Sequence, residues 1–271
     1  MEASLFQVVI LAIIQGVAEF LPISSSGHLT VLSNIFSFDP ECSLFLTLIL
    51  HAGTLAAIVI FYFNELLKMI YPENFRTILL LIITTIPVGI TGILISKLGF
   101  EETIFNNLFV PGAGFLITAS LLRWGLQDNK KEEDCIPMEK MSLKTCLYIG
   151  LAQAFAILPG VSRSGSTISA ALKLGIKKAD AASFSFLMAI PAIGGAVGYK
   201  LLSALTKHKL QVGSISSGEL VIGFFVSAIV GYFSLWLLLD MLKKGKLQTF
   251  SWYLYCLGGA VLIWAFIRLF I

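Results

Sequence analysis

The sequence predicts an all-α polytopic membrane protein made of two inverted repeats of five helical segments each. Of its 271 residues, 57% are hydrophobic and only 13% are charged, whereas about 25% are charged in ordinary soluble domains. Six apolar runs approach the roughly 20 residues that cross a bilayer. Two short polar motifs interrupt the apolar sequence at matching places in the two halves. We therefore predict a single integral membrane domain over residues 1–271.

The long apolar runs account for six predicted transmembrane helices. They cover residues 43–63, 77–96, 106–122, 180–205, 219–240 and 250–267.

A charged stretch divides the chain almost in half. It is LQDNKKEEDCIPMEKMS at residues 126–142, which we predict to be a cytoplasmic linker between repeat 1, about 1–125, and repeat 2, about 143–271. In those halves, QGVAEFLPISSSGH at 15–28 aligns without a gap with QAFAILPGVSRSGS at 153–166. Internal repeats with broken helices in matching positions point to the binding site of a membrane protein.

Both polar motifs interrupt a helix. Pro22, and Pro159 with Gly160, remove or weaken local helical hydrogen bonds. Backbone freed in this way survives at membrane depth only when it is buried in protein or lines a wet cavity. The segments that follow, 26–36 and 164–174, would form only roughly 16 Å of helix. We therefore predict two re-entrant helical hairpins that line one polar cavity.

The distribution of lysine and arginine predicts the orientation. Basic residues collect in the loops near 64–76, 123–144, 176–179 and 241–248, which the positive-inside rule assigns to the cytoplasm. Both termini then face outward, the first hairpin enters from outside and the second enters from the cytoplasm. An arrangement in which all ten helical segments cross the membrane also puts both termini on the same side, so the charge distribution does not exclude it. The net charge of +3 is small and lies in loops, so no nucleic-acid partner is expected.

The first break carries a carboxylate beside hydroxyls and an imidazole. Gln15 and Glu19 are four residues apart and share a helical face. A carboxylate within a membrane is a functional-site hypothesis that requires a partner, and we expect Arg163 to be that partner. His28 is a candidate general acid or base. For His51, in LHAGT, a packing role and a functional role are equally compatible with the sequence.

The second break is suited to an anion. Arg163 lies in SRSGS, and its planar guanidinium can bind a phosphate through two parallel hydrogen bonds. A glycine- and serine-rich turn before a helix supplies further N–H donors. The alternative role of Arg163 is structural, as an ion pair with Glu19 that holds the two hairpins together. The chain has no GxxxxGK[ST], GxSxG or HExxH motif, which excludes the signatures of P-loop, α/β-hydrolase and zincin chemistry.

These motifs resemble a known family. QGVAEFLPISSSGH and PGVSRSGSTISAALKLG are similar to the two signatures of the undecaprenyl-pyrophosphate phosphatases, the bacitracin-resistance proteins. The resemblance extends to LHAGTLAAI at 50–58 and FSFLMAIPAIGGA at 184–196. It implies a multi-pass enzyme of the bacterial plasma membrane whose active site opens to the outer face. Its substrate would be the lipid undecaprenyl diphosphate, which it hydrolyses to the monophosphate and inorganic phosphate. That reaction recycles the carrier lipid for peptidoglycan synthesis and confers bacitracin resistance.

The resemblance also assigns roles to residues. Those expected to be catalytic are Glu19, Ser25, His28 and Arg163. Those expected to bind the phosphates are Gln15, Ser24, Ser26, Gly27, Ser162, Ser164, Gly165 and Thr167.

The expected cofactor is a divalent cation, with Mg²⁺ as the first candidate, Ca²⁺ as the alternative and Glu19 as a ligand. Gln15 stands where many members have glutamate, which weakens any mechanism that needs two carboxylates. The nucleophile stays open between Ser25, His28 and water, and the choice between a monomer and a homodimer stays open too. The alternative function is a secondary transporter or a flippase for prenyl phosphate on the same inverted-repeat fold.

Overall fold

The computed structural model describes residues 4–36, 40–72, 75–100, 104, 107–127, 132–206 and 215–270. Within these ranges the chain is helical apart from turns, loops and one isolated bridge between Ile136 and Ile176. Residues 128–131 of the predicted linker and residue 106 of the predicted third crossing lie outside them.

The chain begins with a helical hairpin, α1 (Leu5–Phe20) and α2 (Ser25–Phe36). Ser4 and Gln7 form a reciprocal capping box at the start of α1. The helix ends before Pro22 because a residue that precedes proline disfavours the α conformation, and Leu21 is extended. Ser24 then takes a left-handed φ of 69°, which reverses the chain into α2.

The described ranges of the first half contain four further helices of several turns. They are α3 (Pro40–Phe61), α4 (Phe63–Met69), α5 (Phe75–Lys97) and α6 (Phe109–Gly125). The axis turns by 72° between Phe45–Phe61 and Phe63–Met69. The predicted crossing 43–63 therefore corresponds to α3 and the bend that follows Phe61.

The second half also begins with two short helices. Its helices are α7 (Leu143–Phe155), α8 (Arg163–Lys173), α9 (Lys178–Leu187), α10 (Ala189–Thr206), α11 (Ser217–Lys243) and α12 (Thr249–Ile267). The predicted crossing 180–205 agrees with one apolar span over Lys178–Lys200. α9 and α10 are separated only at Met188, which keeps a right-handed helical conformation, because Pro191 has no N–H to donate to the carbonyl four residues earlier.

In the described ranges, five helices are long and apolar enough to cross a membrane, and the number is six if the bent pair α3 and α4 counts as one span. The five are Phe75–Lys97, Phe109–Leu126, Lys178–Lys200, Ser217–Lys243 and Lys246–Ile267. The predicted all-α class with several spanning helices is thus confirmed. Helix α1 is apolar but shorter than a full crossing.

The two halves of the chain interleave. Helices α1 and α3 pack on α11, α5 packs on α7, and α6 packs on α12 and α8. Small residues allow these close contacts, as is usual between membrane helices. A Cβ added to Gly16 would lie 2.8 Å from Val230, and one added to Gly150 would lie 2.6 Å from the carbonyl oxygen of Thr84. Each hairpin is consequently held between helices of both halves.

The described part of the predicted linker is tied to both halves. Arg76 donates hydrogen bonds to the carbonyls of Glu139 and Met141. The N–H of Met138 donates to Asp180 at 3.0 Å, and Ile136 pairs with the chain after α8. These residues form a packed connection.

The two breaks touch through their backbones. Gly160 has a φ of 87°, and a Cβ there would collide with the carbonyl of Pro111. A Cβ on Gly27 would lie 2.7 Å from the Cα of Gly160. Glycine at these positions lets the second break lie directly on α2 and α6.

We expect Gly160→Ala to destabilise the protein by at least about 2 kcal/mol, because the left-handed conformation costs about 1–2 kcal/mol for a residue with a Cβ and the contact with Pro111 adds to this. The measurement is chemical unfolding in detergent. Gly195→Ala is the control, since an added Cβ meets nothing within 4 Å there. Equal unfolding free energies for the two variants would contradict the proposed contact.

Candidate functional site

The two breaks meet through an ion pair at the centre of the site. Nη2 of Arg163 lies 2.9 Å from Oε1 of Glu19, so the predicted partner of the buried carboxylate is confirmed. Both side chains are largely shielded, with 15% of Arg163 and 6% of Glu19 exposed. The hydroxyl of Ser164 also lies 3.4 Å from the carbonyl oxygen of Leu21. The polar residues of both hairpins therefore form one cluster.

Glu19 is surrounded by hydrogen-bond donors. Its Oε2 accepts from the hydroxyl of Ser25 at 2.6 Å and from Nε2 of Gln15 at 3.1 Å, while Oε1 accepts from Arg163. Charge-assisted bonds of this kind are short and strong. The arrangement suits a carboxylate anion and directs the proton of Ser25 towards it.

Gln15 has one amide atom without a partner. Its Nε2 faces Glu19 and, at 3.4 Å, the hydroxyl oxygen of Thr54. Its Oε1 is buried and has no hydrogen-bond partner among the described residues. An unsatisfied buried acceptor costs about 1–3 kcal/mol, so this oxygen is suited to a ligand.

Arg163 is fixed from a second side. Its Nη1 donates to the carbonyl oxygen of Ser185 at 2.8 Å. Thr167 donates to the carbonyl oxygen of Arg163 at 2.8 Å, and its hydroxyl lies 2.6 Å from that of Ser185. The bonds to Ser185 and Glu19 use two of the five N–H groups of the guanidinium. Thr167, predicted to bind phosphate, here supports the position of Arg163.

The start of α8 is ordered by hydroxyl groups. Ser162 accepts from the N–H of Gly165 at 3.1 Å and donates its own N–H to Thr118. Thr118 in turn donates to the carbonyl of Gly160. The hydroxyls of Ser162 and Ser164 lie 3.2 Å apart. The N-terminus of α8 thus adds oriented N–H groups beside Arg163.

The first break has a similar cap at α2. The hydroxyl of Ser24 accepts from the N–H of Gly27 at 3.3 Å and lies 3.3 Å from that of Ser26. Ser24, Ser26 and Gly27, predicted to bind phosphate, therefore shape the backbone at the start of α2.

His28 is held by two partners. Nδ1 lies 2.7 Å from the carbonyl oxygen of Ser24, and because a carbonyl only accepts, Nδ1 carries the proton. Nε2 lies 2.7 Å from the hydroxyl of Tyr253, and the two rings stack at 5.9 Å. In the neutral ring, Nε2 accepts from Tyr253. His28 therefore faces Tyr253, while the hydroxyl of Ser25 bonds to Glu19.

His51 belongs to the cluster. Its Nδ1 donates to the carbonyl oxygen of Thr47 at 2.8 Å, and its Nε2 lies 3.6 Å from Oε2 of Glu19. In the sequence, the LHAGT motif pointed to His51, but a packing role and a functional role of this residue were equally compatible with it. Sequence reasoning gave no role to Thr54 and Ser185, although LHAGTLAAI and FSFLMAIPAIGGA contain them. It also missed Thr118 and Tyr253, whose crossings carry no comparable motif.

The donor set fits a divalent cation that is shared with a ligand. No group of three or more His, Cys, Asp or Glu side chains gathers among the described residues. Glu19, the orphan Oε1 of Gln15 and Nε2 of His51 supply a carboxylate, an amide oxygen and an imidazole. Mg²⁺ is usually held by one or two carboxylates together with phosphate oxygens and water. These residues are consistent with that mode.

We expect the Glu19–Arg163 pair to show a large coupling free energy in a double-mutant cycle of Glu19→Gln and Arg163→Met. Because both charges are mostly buried, the coupling in unfolding free energy should exceed about 1 kcal/mol.

The matched control is the Asp240–Lys244 pair, whose N and O atoms lie 2.6 Å apart at exposed positions. Its coupling should be about 0.3–0.5 kcal/mol. A coupling at Glu19–Arg163 no larger than at this control would show that the central pair contributes little to the fold.

Known proteins match the chain over almost its whole length. The family model described as Bacitracin resistance protein BacA matches residues 8–260, which include both breaks.

Curated relatives give the same result. A protein of Carboxydothermus hydrogenoformans named undecaprenyl-diphosphatase is 38% identical over 262 residues, covering 95% of this chain and 96% of its own length. One of Bacteroides thetaiotaomicron with the same name is 37% identical over 270 residues, covering 96% and 98%. The Bacillus cereus protein named undecaprenyl-diphosphatase 3 is 38% identical over 261 residues, covering 96% and 97%.

Proposed function

Because the chain belongs to the family of bacitracin resistance protein BacA, we propose that its site carries out the reaction for which its relatives are named. The chain is an undecaprenyl-diphosphatase, a membrane hydrolase that converts undecaprenyl diphosphate to the monophosphate and inorganic phosphate. Resistance to bacitracin would follow from this activity, as the family name implies. Its product would return to peptidoglycan synthesis.

One observation carries the mechanism that we propose. The hydroxyl of Ser25 donates to Glu19 at 2.6 Å, and the other oxygen of Glu19 is bound by Arg163. A hydroxyl bonded to an oriented carboxylate is the arrangement of an activated nucleophile. This supports Ser25 over the alternatives, His28 and water, as the attacking group.

The first step forms a phosphoserine. Oγ of Ser25 attacks the terminal phosphorus while its proton passes to Oε2 of Glu19. The bond from that phosphorus to the bridging oxygen breaks, and its electron pair leaves with the prenyl monophosphate. Arg163 and the N–H groups at the start of α8 stabilise the charge that develops.

The second step restores the enzyme. Water attacks the phosphoserine phosphorus, the Ser25–phosphorus bond breaks, and one water proton returns to the serine oxygen. The proton on Glu19 leaves to solvent, and inorganic phosphate departs. His28, the expected acid or base, is bonded to Ser24 and Tyr253, so we assign no proton transfer in this step to it.

The chain's own residues also support the proposed cation. Glu19, with Gln15 and His51, would hold Mg²⁺, or Ca²⁺ as the alternative, beside the diphosphate. When bound, the ion would neutralise negative charge on the phosphates. Gln15 in place of glutamate leaves Glu19 as the main ligand.

The proposed orientation places the site towards the outer face of the plasma membrane. Support comes from the lysine- and arginine-rich loops, which the positive-inside rule assigns to the cytoplasm. The gapless match of 15–28 with 153–166, and the similar order of helices in the two halves, support two inverted repeats. On this basis the six crossings comprise the five long helices and the bent pair.

The alternative is a transporter or flippase, since inverted repeats with broken helices also occur in transporters. A transporter needs two compartments, whereas a phosphatase does not. Detergent solution therefore separates the two functions.

We expect the purified protein in detergent to release inorganic phosphate from undecaprenyl diphosphate in the presence of Mg²⁺, because the site lies within one chain and needs no compartment. A colorimetric phosphate assay measures it. EDTA should abolish the release, and added Mg²⁺ should restore it. A lack of release with both Mg²⁺ and Ca²⁺ would favour the transport alternative.

We expect Ser25→Ala to lower the rate of phosphate release by at least about 10³-fold, because the nucleophile is lost. Substrate affinity, measured by equilibrium binding, should change by less than about threefold, since Arg163 and α8 remain. Ser120→Ala is the control, because that hydroxyl is exposed and donates to the carbonyl of its own helix at 2.9 Å. Near-normal release by Ser25→Ala would leave water as the attacking group.

A further inference from the structure

A pocket whose lining does not include Glu19 or Arg163 lies between helices α6, α7 and α8. It has a volume of about 540 Å³, within the range of about 300–1,000 Å³ that is usual for small-molecule sites. We call it the lysine groove. Its lining residues are Leu121, Trp124, Tyr148, Ala152, Phe155, Ser166, Ala170, Lys173 and Leu174.

The groove is lined mostly by apolar side chains and is open along one side. Its floor is a stripe on α8 formed by Ser166, Ala170 and Lys173, which are four and three residues apart and so share one helical face. The stripe is about 10 Å long. The walls include Trp124 and Tyr148, which are about half exposed. A lipid chain can therefore enter from the side.

Positive charge lies at one end of the groove. Nζ of Lys173 lies 5.5 Å from the ring centroid of Trp124, and Nζ of Lys144 lies 5.9 Å from that of Tyr148. Lys173 ends α8 just before the segment that pairs with the linker at Ile136. This end therefore lies on the lysine-rich side, where basic pockets between membrane helices bind anionic lipid headgroups.

An unpartnered polar atom lies inside the groove. Ser166 is only 3% exposed, and its Oγ is buried without a hydrogen-bond partner among the described residues. A buried hydroxyl without a partner costs free energy. An ester carbonyl of a bound lipid would satisfy it.

We propose that the lysine groove binds an anionic glycerophospholipid from the leaflet on the lysine-rich side. Its phosphate lies beside Lys173, its ester groups extend towards Ser166, and one acyl chain lies against the aromatic walls. The groove is lined by residues other than Glu19, Ser25 and Arg163, so this binding is separate from the proposed reaction.

Quenching of Trp124 by brominated lipids tests the proposal. The parent carries Trp236→Phe, Trp252→Phe and Trp264→Phe, so that Trp124 is the remaining tryptophan. It is reconstituted into vesicles of dioleoylphosphatidylcholine and dioleoylphosphatidylglycerol in which either lipid is brominated. We expect phosphatidylglycerol to bind beside Trp124 about fivefold more tightly, the effect of about one basic side chain.

Two variants locate the effect. Lys173→Gln should bring the ratio of the two lipid affinities to about one, whereas Lys243→Gln, an exposed lysine on the same side, should leave it unchanged. Ala170→Leu, which fills the floor of the groove, should reduce quenching by brominated phosphatidylglycerol. The proposal would be overturned if the two lipids bound the parent with equal affinity. It would also be overturned if Lys173→Gln and Lys243→Gln lowered the ratio of the two lipid affinities equally.

Phosphate release by the same preparations checks that the parent and the variants are folded. Neither Lys173 nor Ala170 touches the reacting groups that we propose, so both variants should keep the parent's rate. The lipid ratio is measured without substrate. Failure of the proposed phosphatase reaction would therefore leave the quenching result interpretable.

Discussion

The structure depends on one buried ion pair between residues 144 positions apart, Glu19 and Arg163. Removing two charges from water costs several kcal/mol each, and this cost is offset only when the geometry is good and the remaining polar atoms are bonded. Here Ser25, Gln15 and the carbonyl of Ser185 supply those bonds. The helices between the two breaks are arranged so that these partners can converge.

That requirement explains the backbone of both breaks. Each hairpin must end a helix in the middle of an apolar region and begin another with oriented N–H groups. Pro22 follows the end of α1, whereas α7 already ends at Phe155, before Pro159. A left-handed Ser24 or Gly160 then reverses the chain, and serine caps the second helix. Close contact between Gly27 and Gly160 then brings the two caps together. The residues needed for polar chemistry are therefore also those that break the helices.

Much of this could be predicted from the sequence, because broken helices leave local signals. Proline, glycine and serine marked both breaks, and an isolated arginine in an apolar chain identified the partner of Glu19. The bend after Phe61 was missed, since a continuous apolar run does not record how a helix curves around its neighbours. Ser185, Thr54 and Tyr253 were missed for a related reason. Each lies in a spanning helix, and only the packing of the helices brings it to the cluster.

The distance along the chain between Glu19 and Arg163 has a consequence for biosynthesis. At a typical elongation rate, the ribosome needs on the order of ten seconds to add the 144 residues that lead from Glu19 to Arg163. For most of that interval the chain of the first hairpin, which ends at Phe36, has been synthesised and Glu19 has no arginine to pair with. The first hairpin must therefore wait near the membrane surface, or be shielded by the insertion machinery, until α8 arrives. Assembly of the polar centre is then a late step of membrane insertion, and any premature chain that ends before Arg163 carries an unpaired acid in an apolar helix.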